Sequence, residues 1–377
     1  MRIASVGDLR AGAQRRLPRV LFDYIDGAAY DEATAKANLS DLADLKLRQR
    51  VLVDVSRLSM GVELFGEPLS MPVVLAPVGL AGMYASRGEV QAAKAAKAAG
   101  VPFSLSTMGV CSLNEVAQAA TPPWFQLYMI KDRPFMADVL SRAREVGCPV
   151  LFFTVDLPLP STRRRDVRNA MTGDSLGARL SRGLDGLAHP GWVLDLYLRG
   201  RPHSLGNVAA AGGHLKSLSN FWAWTGRNFD ASVTWKDIEW VRENWPGPLV
   251  LKGILDPEDA REAARAGADG IVVSNHGGRQ LDGAPSSIAA LPAIVEAVGS
   301  DLAVLMDGGV RSGLDVLKAL ASGAQACLVG RAWAWALGAR GGDGVAKMLA
   351  ILRQELRLAM SLTGCTDVRR AGRDLLA

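Results

Sequence analysis

Short apolar runs recur along the chain: PVVLAPV (72–78), PFSLST (102–107), WFQLYM (124–129), VLFFTVD (150–156), PLVLKG (248–253), GIVVSN (270–275), LAVLMDG (302–308) and ACLVGR (326–331). None alternates strictly between apolar and polar positions, as a strand with one wet face would. Unbroken hydrophobicity over so few residues predicts strands buried on both faces, the pattern of a parallel sheet. Alanine-rich segments fill the gaps between runs. Gly100, Gly147, Gly267, Gly299 and Gly323 each stand just before a run, where a left-handed residue ends a helix. Ser112 with Glu115, and Asp256 with Pro257, read as helix starts. Eight strand–helix units predict an α/β fold closed into a (β/α)8 TIM barrel. A doubly wound sheet would open with a GxGxxG turn after its first strand, and that turn is absent.

Two parts fall outside the repeat. Residues 1–70 read as an N-terminal helical extension packed over one barrel end, because AQRRLPRVLFDYIDGAAYDEATAKAN has amphipathic spacing. Residues 71–377 read as the barrel, with an insertion at about 160–233, all within a single domain of 1–377. Loops this long usually carry function. The uncharged stretch 68–86 is long enough to raise the question of a membrane span, but Pro72, Pro77, Gly79 and Gly82 predict a strand and loop there.

Composition adds limits. With 49% hydrophobic and 21% charged residues, the chain can build a large core and is not disordered. A net charge of +5, without a basic face studded with aromatics, argues against nucleic-acid binding. Cys111, Cys148, Cys327 and Cys365 are too scattered for a zinc site or a disulfide framework, so reduced thiols and a cytoplasmic setting are expected. The N-terminus lacks the apolar core of a signal peptide. Within 171–227, Arg179, Arg182, Arg199, Arg201, Lys216 and Arg227 outnumber Asp174, Asp185 and Asp195. They are interleaved with Trp192, Val193, Leu194, Leu196, Tyr197 and Leu198, then Phe221, Trp222 and Trp224. Basic residues with aromatic anchors predict contact with an anionic membrane surface; a lid or a subunit contact is the alternative. His189, His203 and His214 lack metal-ligand spacing, and no metal site is expected.

In a barrel of this kind, chemistry gathers at the C-terminal ends of the strands. The third run delivers Gln126 and Tyr128; the fourth delivers Thr154 and Asp156, then Arg163. Lys252 ends the fifth, and Ser274, His276 and Arg279 follow the sixth. The seventh gives Asp307, Gly308, Gly309 and Arg311, the eighth Gly330 and Arg331. A base, an acid partner and several cations around one opening suit an anionic substrate and a phosphorylated cofactor. The glycine-rich turns DGGVRSG and VGRA, each with an arginine, fit a phosphate site. Without a dinucleotide turn, a flavin mononucleotide or a phosphosugar fits better than a dinucleotide.

SNHGGRQLDG (274–283), LVLKG, TVD, FQLY and DGGVRSG with VGR together resemble the FMN-dependent α-hydroxy acid oxidase and dehydrogenase family. The resemblance runs from RLPRVLFDYIDGAAYDEAT to LTGC. It is strongest toward the bacterial, membrane-associated, L-lactate-oxidising branch, on LAPVGLAGMYASRGEVQAAKAA, HPGWVLDLYLRGRPHSLGN and VTWKDIEWVRENWPGP. It implies oxidation of L-lactate to pyruvate with FMN as cofactor. His276 would be the base and Asp156 its orienting carboxylate. Arg279 and Arg163 would hold the substrate carboxylate, with Tyr24 and Tyr128 beside them. Lys252 would stabilise charge at the N1/O2 side of the flavin. Pro77, Val78, Gly79, Ser106, Gln126, Thr154 and Ser274 would contact the isoalloxazine. Asp307, Gly308, Gly309 and Arg311 would hold the ribityl chain and phosphate, with Gly330 and Arg331 at the phosphate.

On this resemblance His276 removes a proton while two electrons pass to flavin N5 and then to quinone or another membrane acceptor. A homotetramer, peripheral on the inner face of the cell membrane, is implied. Val78 stands where many members carry Thr, and Met108 where some plant-type members carry Trp. Gly79 stands where oxygen-using members carry Ala, which favours a dehydrogenase. An oxygen-using oxidase or a mandelate-type dehydrogenase remains the nearest alternative, and a flavin-free phosphosugar lyase or isomerase on the same barrel the more distant one.

Overall fold

The computed structural model describes residues 2–171, 175–200, 204–209 and 224–377, apart from the side chains of residues 197 and 198. Of the insertion, Asp174, Arg201, His203, His214, Lys216, Phe221 and Trp222 lie outside the described residues.

Each apolar run contains one strand. After a short hairpin of β1 (Val62–Leu64) and β2 (Glu67–Leu69) come β3 (Val73–Leu75), β4 (Ser104–Ser106), β5 (Trp124–Leu127) and β6 (Leu151–Thr154). Then follow β7 (Leu249–Ile254), β8 (Gly270–Val273), β9 (Ala303–Met306) and β10 (Ala326–Val329). The parallel order β3-β10-β9-β8-β7-β6-β5-β4 closes through a Leu75–Phe103 bridge, giving the (β/α)8 barrel. Two separate clusters explain why the runs are apolar throughout. Val74, Phe152, Val250, Val272, Leu305 and Leu328 fill the barrel interior with Trp124. Their neighbours Val73, Phe153, Leu251, Ile271 and Val273 pack outward against the helices. The period of two assigns alternate residues to two cores.

Helix punctuation follows the expected chemistry. Gly100, Gly147, Gly267, Gly299 and Gly323 all adopt positive φ. Ser112 Oγ accepts from the Glu115 N–H at 3.3 Å, and Asp256 Oδ1 from the Glu258 N–H at 2.8 Å.

The first 70 residues hold α1 (Val6–Arg16), α2 (Arg19–Asp26) and α3 (Ala33–Asp44), and also the hairpin. Its strands are too short to show a period, so pattern reading passes over them. Phe65 and Gly66 turn it with φ of 53° and 80°, as a two-residue hairpin loop requires. Leu64 and Leu69 join the interior cluster, and Phe65 meets the Trp124 ring edge-on at 5.9 Å. The hairpin therefore plugs the end of the barrel where the strands begin.

After the outer helices α4 (Gly88–Ala99), α5 (Leu113–Ala119) and α6 (Arg133–Val146), the insertion contributes α7 (Arg164–Arg168), α8 (Leu176–Leu187) and α9 (Pro190–Arg199), and with α2 and α3 it covers the opposite end. Trp192 Nε1 on α9 donates to the Met83 carbonyl at 2.8 Å, and Asp195 accepts from Ser86 Oγ and Arg16 Nη2, each at 2.8 Å. These bonds bind the insertion to the loop after β3. Among the described residues, no helix is long and apolar enough to cross a membrane.

Truncating the plug tests its part in the fold. Leu69→Ala is expected to cost about 2–5 kcal/mol in chemical denaturation while leaving cofactor stoichiometry unchanged; a loss below about 0.5 kcal/mol would show that the floor does not need it.

Candidate active site

At the strand ends lies a cavity of about 1270 Å³, its open mouth included. All but three of the residues singled out from the sequence line it: Tyr24, Pro77, Val78, Gly79, Ser106 and Tyr128 on one side, with Thr154, Arg163, Lys252, His276 and Arg279. Asp307, Gly308, Gly309, Arg311, Gly330 and Arg331 complete the set. Gln126, Asp156 and Ser274 stand behind this lining and orient it. Gln126 accepts from Ser106 Oγ and donates to Thr154 Oγ1, both at 2.9 Å. Ser274 Oγ accepts from Lys252 Nζ at 2.8 Å and from the His276 N–H at 3.0 Å.

His276 leaves β8 with φ of 56°, a left-handed value unusual for a residue with a β-carbon. Its Nδ1 lies 2.8 Å from Asp156 Oδ1, and its Nε2 lies 3.4 Å from the Tyr128 hydroxyl. A carboxylate at Nδ1 fixes the Nδ1–H tautomer and leaves Nε2 as the acceptor. Burial alone would lift the Asp156 carboxyl; the charge and hydrogen bond of His276, with Lys252, outweigh it and hold the group below its ordinary range. Burial likewise disfavours the Lys252 cation, but Asp307 at 2.8 Å and Asp156 keep it above its usual value. Burial pushes the Tyr128 phenol up, and Asp156 adds to the effect.

A second group collects cations. The Arg163 and Arg279 guanidinium carbons lie 4.8 and 5.0 Å from the Tyr24 ring centroid. Arg163 pairs with Asp166 at 2.9 Å, and Arg279 donates to the Tyr24 and Gly27 carbonyls at 2.7 and 3.0 Å. Burial, then repulsion from Arg163, lowers Arg279 from its ordinary value. Two guanidiniums flanking one ring, with the single carboxylate of Asp166 beside them, suit the binding of a further anion.

The third group lies around β9 and β10. Burial pushes Arg311 down to about 10 and Arg331 well below its usual range. Arg331 donates to the Gly277 and Gly27 carbonyls at 2.7 and 2.8 Å, while its Nε and Asp307 Oδ1 have no hydrogen-bond partner among the described residues. Gly308 and Gly309 turn there with φ of 90° and 86°. The buried arginines and the glycine turn supply donors that suit a phosphate, and the orphaned Asp307 acceptor suits a ribityl hydroxyl, a combination that fits a phosphorylated flavin.

The glycines after His276 are required by close approach. A β-carbon on Gly277 would fall 2.6 Å from Arg331 Nη1, and one on Gly278 2.6 Å from Ala35 N. The arginine and the N-terminal segment exclude side chains there.

Pattern reading missed Tyr84, Thr225 and Phe229, which also line the cavity. Tyr84 donates its hydroxyl to the Gly79 carbonyl at 3.0 Å. Phe229 packs against Tyr128 with ring centroids 5.2 Å apart and pairs with Ile130 in an isolated bridge. Both are single aromatics outside any periodic pattern; Phe229 is brought in by its long-range pairing, Tyr84 by the local turn after β3.

The family profile described as FMN-dependent dehydrogenase matches residues 13–377. An L-lactate dehydrogenase from a Caulobacter species is 57% identical over 100% of this chain and 99% of its own. One from Chromohalobacter salexigens is 56% identical over 100% and 96%. Among solved structures, a monotopic membrane protein, (S)-mandelate dehydrogenase, superposes with a TM-score of 0.93 at 37% identity over 100% of both chains. A mandelate oxidase gives 0.85 at 40% identity, over 100% of this chain and 98% of its own. With the barrel, the imidazole–carboxylate pair and the phosphate-suited turn already in place, these likenesses identify the chain as a member of the FMN-dependent α-hydroxy acid dehydrogenase family.

Proposed function

We propose that the protein oxidises L-lactate to pyruvate and passes the electrons to quinone or another membrane-held acceptor. The observation that carries this reading is the imidazole of His276. It is fixed at Nδ1 by Asp156, 2.8 Å away, and opens Nε2 to a cavity lined by two arginines. The names of the relatives at 56–57% identity supply the substrate.

Each residue's task follows from its charge and place. Arg163 and Arg279 bind the substrate carboxylate and set which face of C2 meets His276. His276 Nε2 takes the proton, and Asp156, held ionised, stabilises the resulting imidazolium. Tyr128, whose phenol stays protonated, donates to the substrate oxygen. When bound, FMN supplies the two-electron sink, with its phosphate held by Arg311, Arg331 and the Gly308–Gly309 and Gly330 turns. Lys252 keeps a fixed cation in the cavity wall, and Gln126, Thr154, Ser106 and Ser274 fix the polar surface facing the ring. Pro77, Val78 and Gly79 complete that wall. Met108, Leu157 and Phe229 make an apolar wall for the substrate side chain.

The likeness to mandelate enzymes keeps a larger substrate, or oxygen as acceptor, as the competing reading. Hydrogen peroxide forming at the turnover rate under air would favour it.

Membrane placement has its own support. Along α8, Leu176, Leu180, Leu184 and Leu187 are 85%, 65%, 60% and 75% exposed. The spacing puts them on one face, while Ala178 is the helix's buried residue. An amphipathic helix with its apolar side turned outward fits the interfacial zone of an anionic bilayer. A second exposed patch, Val51, Leu52 and Val53 beside Leu362, where the Arg50 N–H donates to the Leu362 carbonyl at 3.0 Å, supports self-association, which we take to be the homotetramer.

Three outcomes are expected. His276→Gln should slow anaerobic flavin bleaching by L-lactate about 10³-fold with flavin content unchanged; bleaching at the parent rate would remove the base assignment. Leu180→Glu with Leu184→Glu should release the protein from phosphatidylglycerol vesicles and leave reduction of a soluble dye acceptor intact; continued co-sedimentation would sink the membrane contact. In analytical ultracentrifugation the detergent-solubilised protein should sediment as a tetramer, and a monomer would end that part of the reading.

A further inference from the structure

Asn38 on α3 belongs to none of the motifs that mark the site, yet its side chain is buried between two of them. Its Nδ2 donates to Asn275 Oδ1 at 2.9 Å, and its Oδ1 accepts from Asn275 Nδ2 at 2.8 Å. Asn275 immediately precedes His276. Its Oδ1 also accepts from the Gly278 N–H at 3.0 Å, and its Nδ2 donates to the Pro285 carbonyl at 3.0 Å. The reciprocal amide pair therefore ties together both ends of the turn that presents the imidazole. On its other side Asn38 meets the turn after β9. A β-carbon on Gly308 would lie 3.1 Å from Asn38 Oδ1, and one on Gly309 only 2.1 Å from the Asn38 carbonyl oxygen.

An amide offers a donor and an acceptor side by side in one plane, which an ionised carboxylate, a hydroxyl or an alkyl side chain does not. The orientations are set from outside as well: the Ser287 N–H donates to Asn38 Oδ1 at 3.1 Å, and the Gly278 N–H fixes Asn275. Both residues are nearly fully buried, so water does not substitute for a lost partner. A left-handed residue with a β-carbon persists only where its surroundings over-determine it. The hydroxyl of Ser274 holds the His276 N–H, and the amide pair holds the residues on either side.

We propose that Asn38 is a positioning residue for proton abstraction. It keeps His276 in its left-handed conformation, aligned with Asp156, and locks that turn to the Gly308–Gly309 turn on the cofactor side. Substrate and cofactor are thereby registered to the base through one buried amide from outside the barrel. This rests on the reading of His276 as the base.

The test uses full-length, flavin-loaded Asn38→Ala and Asn38→Asp proteins, with His276→Gln measured alongside. The limiting rate of anaerobic flavin reduction by L-lactate should fall about 10²-fold in Asn38→Ala, with the half-saturating lactate concentration changed less than threefold. Asn38→Asp keeps the volume and the acceptor toward Ser287 but replaces the donor toward Asn275 Oδ1, so it should also lose limiting rate at unchanged flavin content and nearly unchanged half-saturation. If Asn38→Ala does not fold, Asn38→Asp decides alone. Parent limiting rates in the folded variants would overturn the proposal. So would a loss tracking flavin release alone. An inert His276→Gln beside unperturbed Asn38 variants sinks only the positioning role; an active His276→Gln sinks the base assignment and this proposal with it.

Discussion

The imidazole of His276 stands at a backbone angle that its own residue type disfavours, and much of the chain serves to hold it there. Asp156 arrives from β6 to bind Nδ1 at 2.8 Å, and Ser274 supports the backbone N–H. Behind the loop, Arg331 from β10 grips the Gly277 carbonyl, and the Gly278 carbonyl accepts from the Ala29 N–H at 2.9 Å. A barrel alone would deliver strand ends to a common opening. The N-terminal segment converts that opening into a site by bracing the one loop that must not move.

Electrostatics explains why so many cations tolerate burial there. Arg279, Arg311 and Arg331 are each lowered from their ordinary range mainly by burial, so each is a charge held at a cost. On the proposed function, the substrate carboxylate and the cofactor phosphate relieve that cost, which would link affinity for both to the same desolvation that disfavours the arginines. Lys252 differs, because Asp307 and Asp156 already compensate it. It is a permanent cation rather than one waiting for a ligand.

The sequence was most legible where one chemical rule acts locally. Apolar runs marked all the barrel strands, and glycines before Val101, Cys148 and Ala268 marked helix ends because a positive φ there needs no tertiary information. Site residues at strand ends were legible for the same reason: closure of the barrel dictates where they go. The hairpin plug, Phe229 and Asn38 were not legible. Each depends on a contact between distant segments that leaves no periodic trace: Phe65 on Trp124, Phe229 on Tyr128, Asn38 on Asn275. The outward leucines of α8 were partly visible as composition, but their common face appears only once the helix is placed.

The pairing of His276 with Asp156 is the centre of this account, and the limiting rate of anaerobic flavin reduction by L-lactate in Asp156→Asn tests it most directly. That rate should fall by about 10²-fold or more with flavin content unchanged, because the imidazolium has lost its stabilising charge. An Asp156→Asn enzyme that reduces its flavin at the parent rate would contradict it.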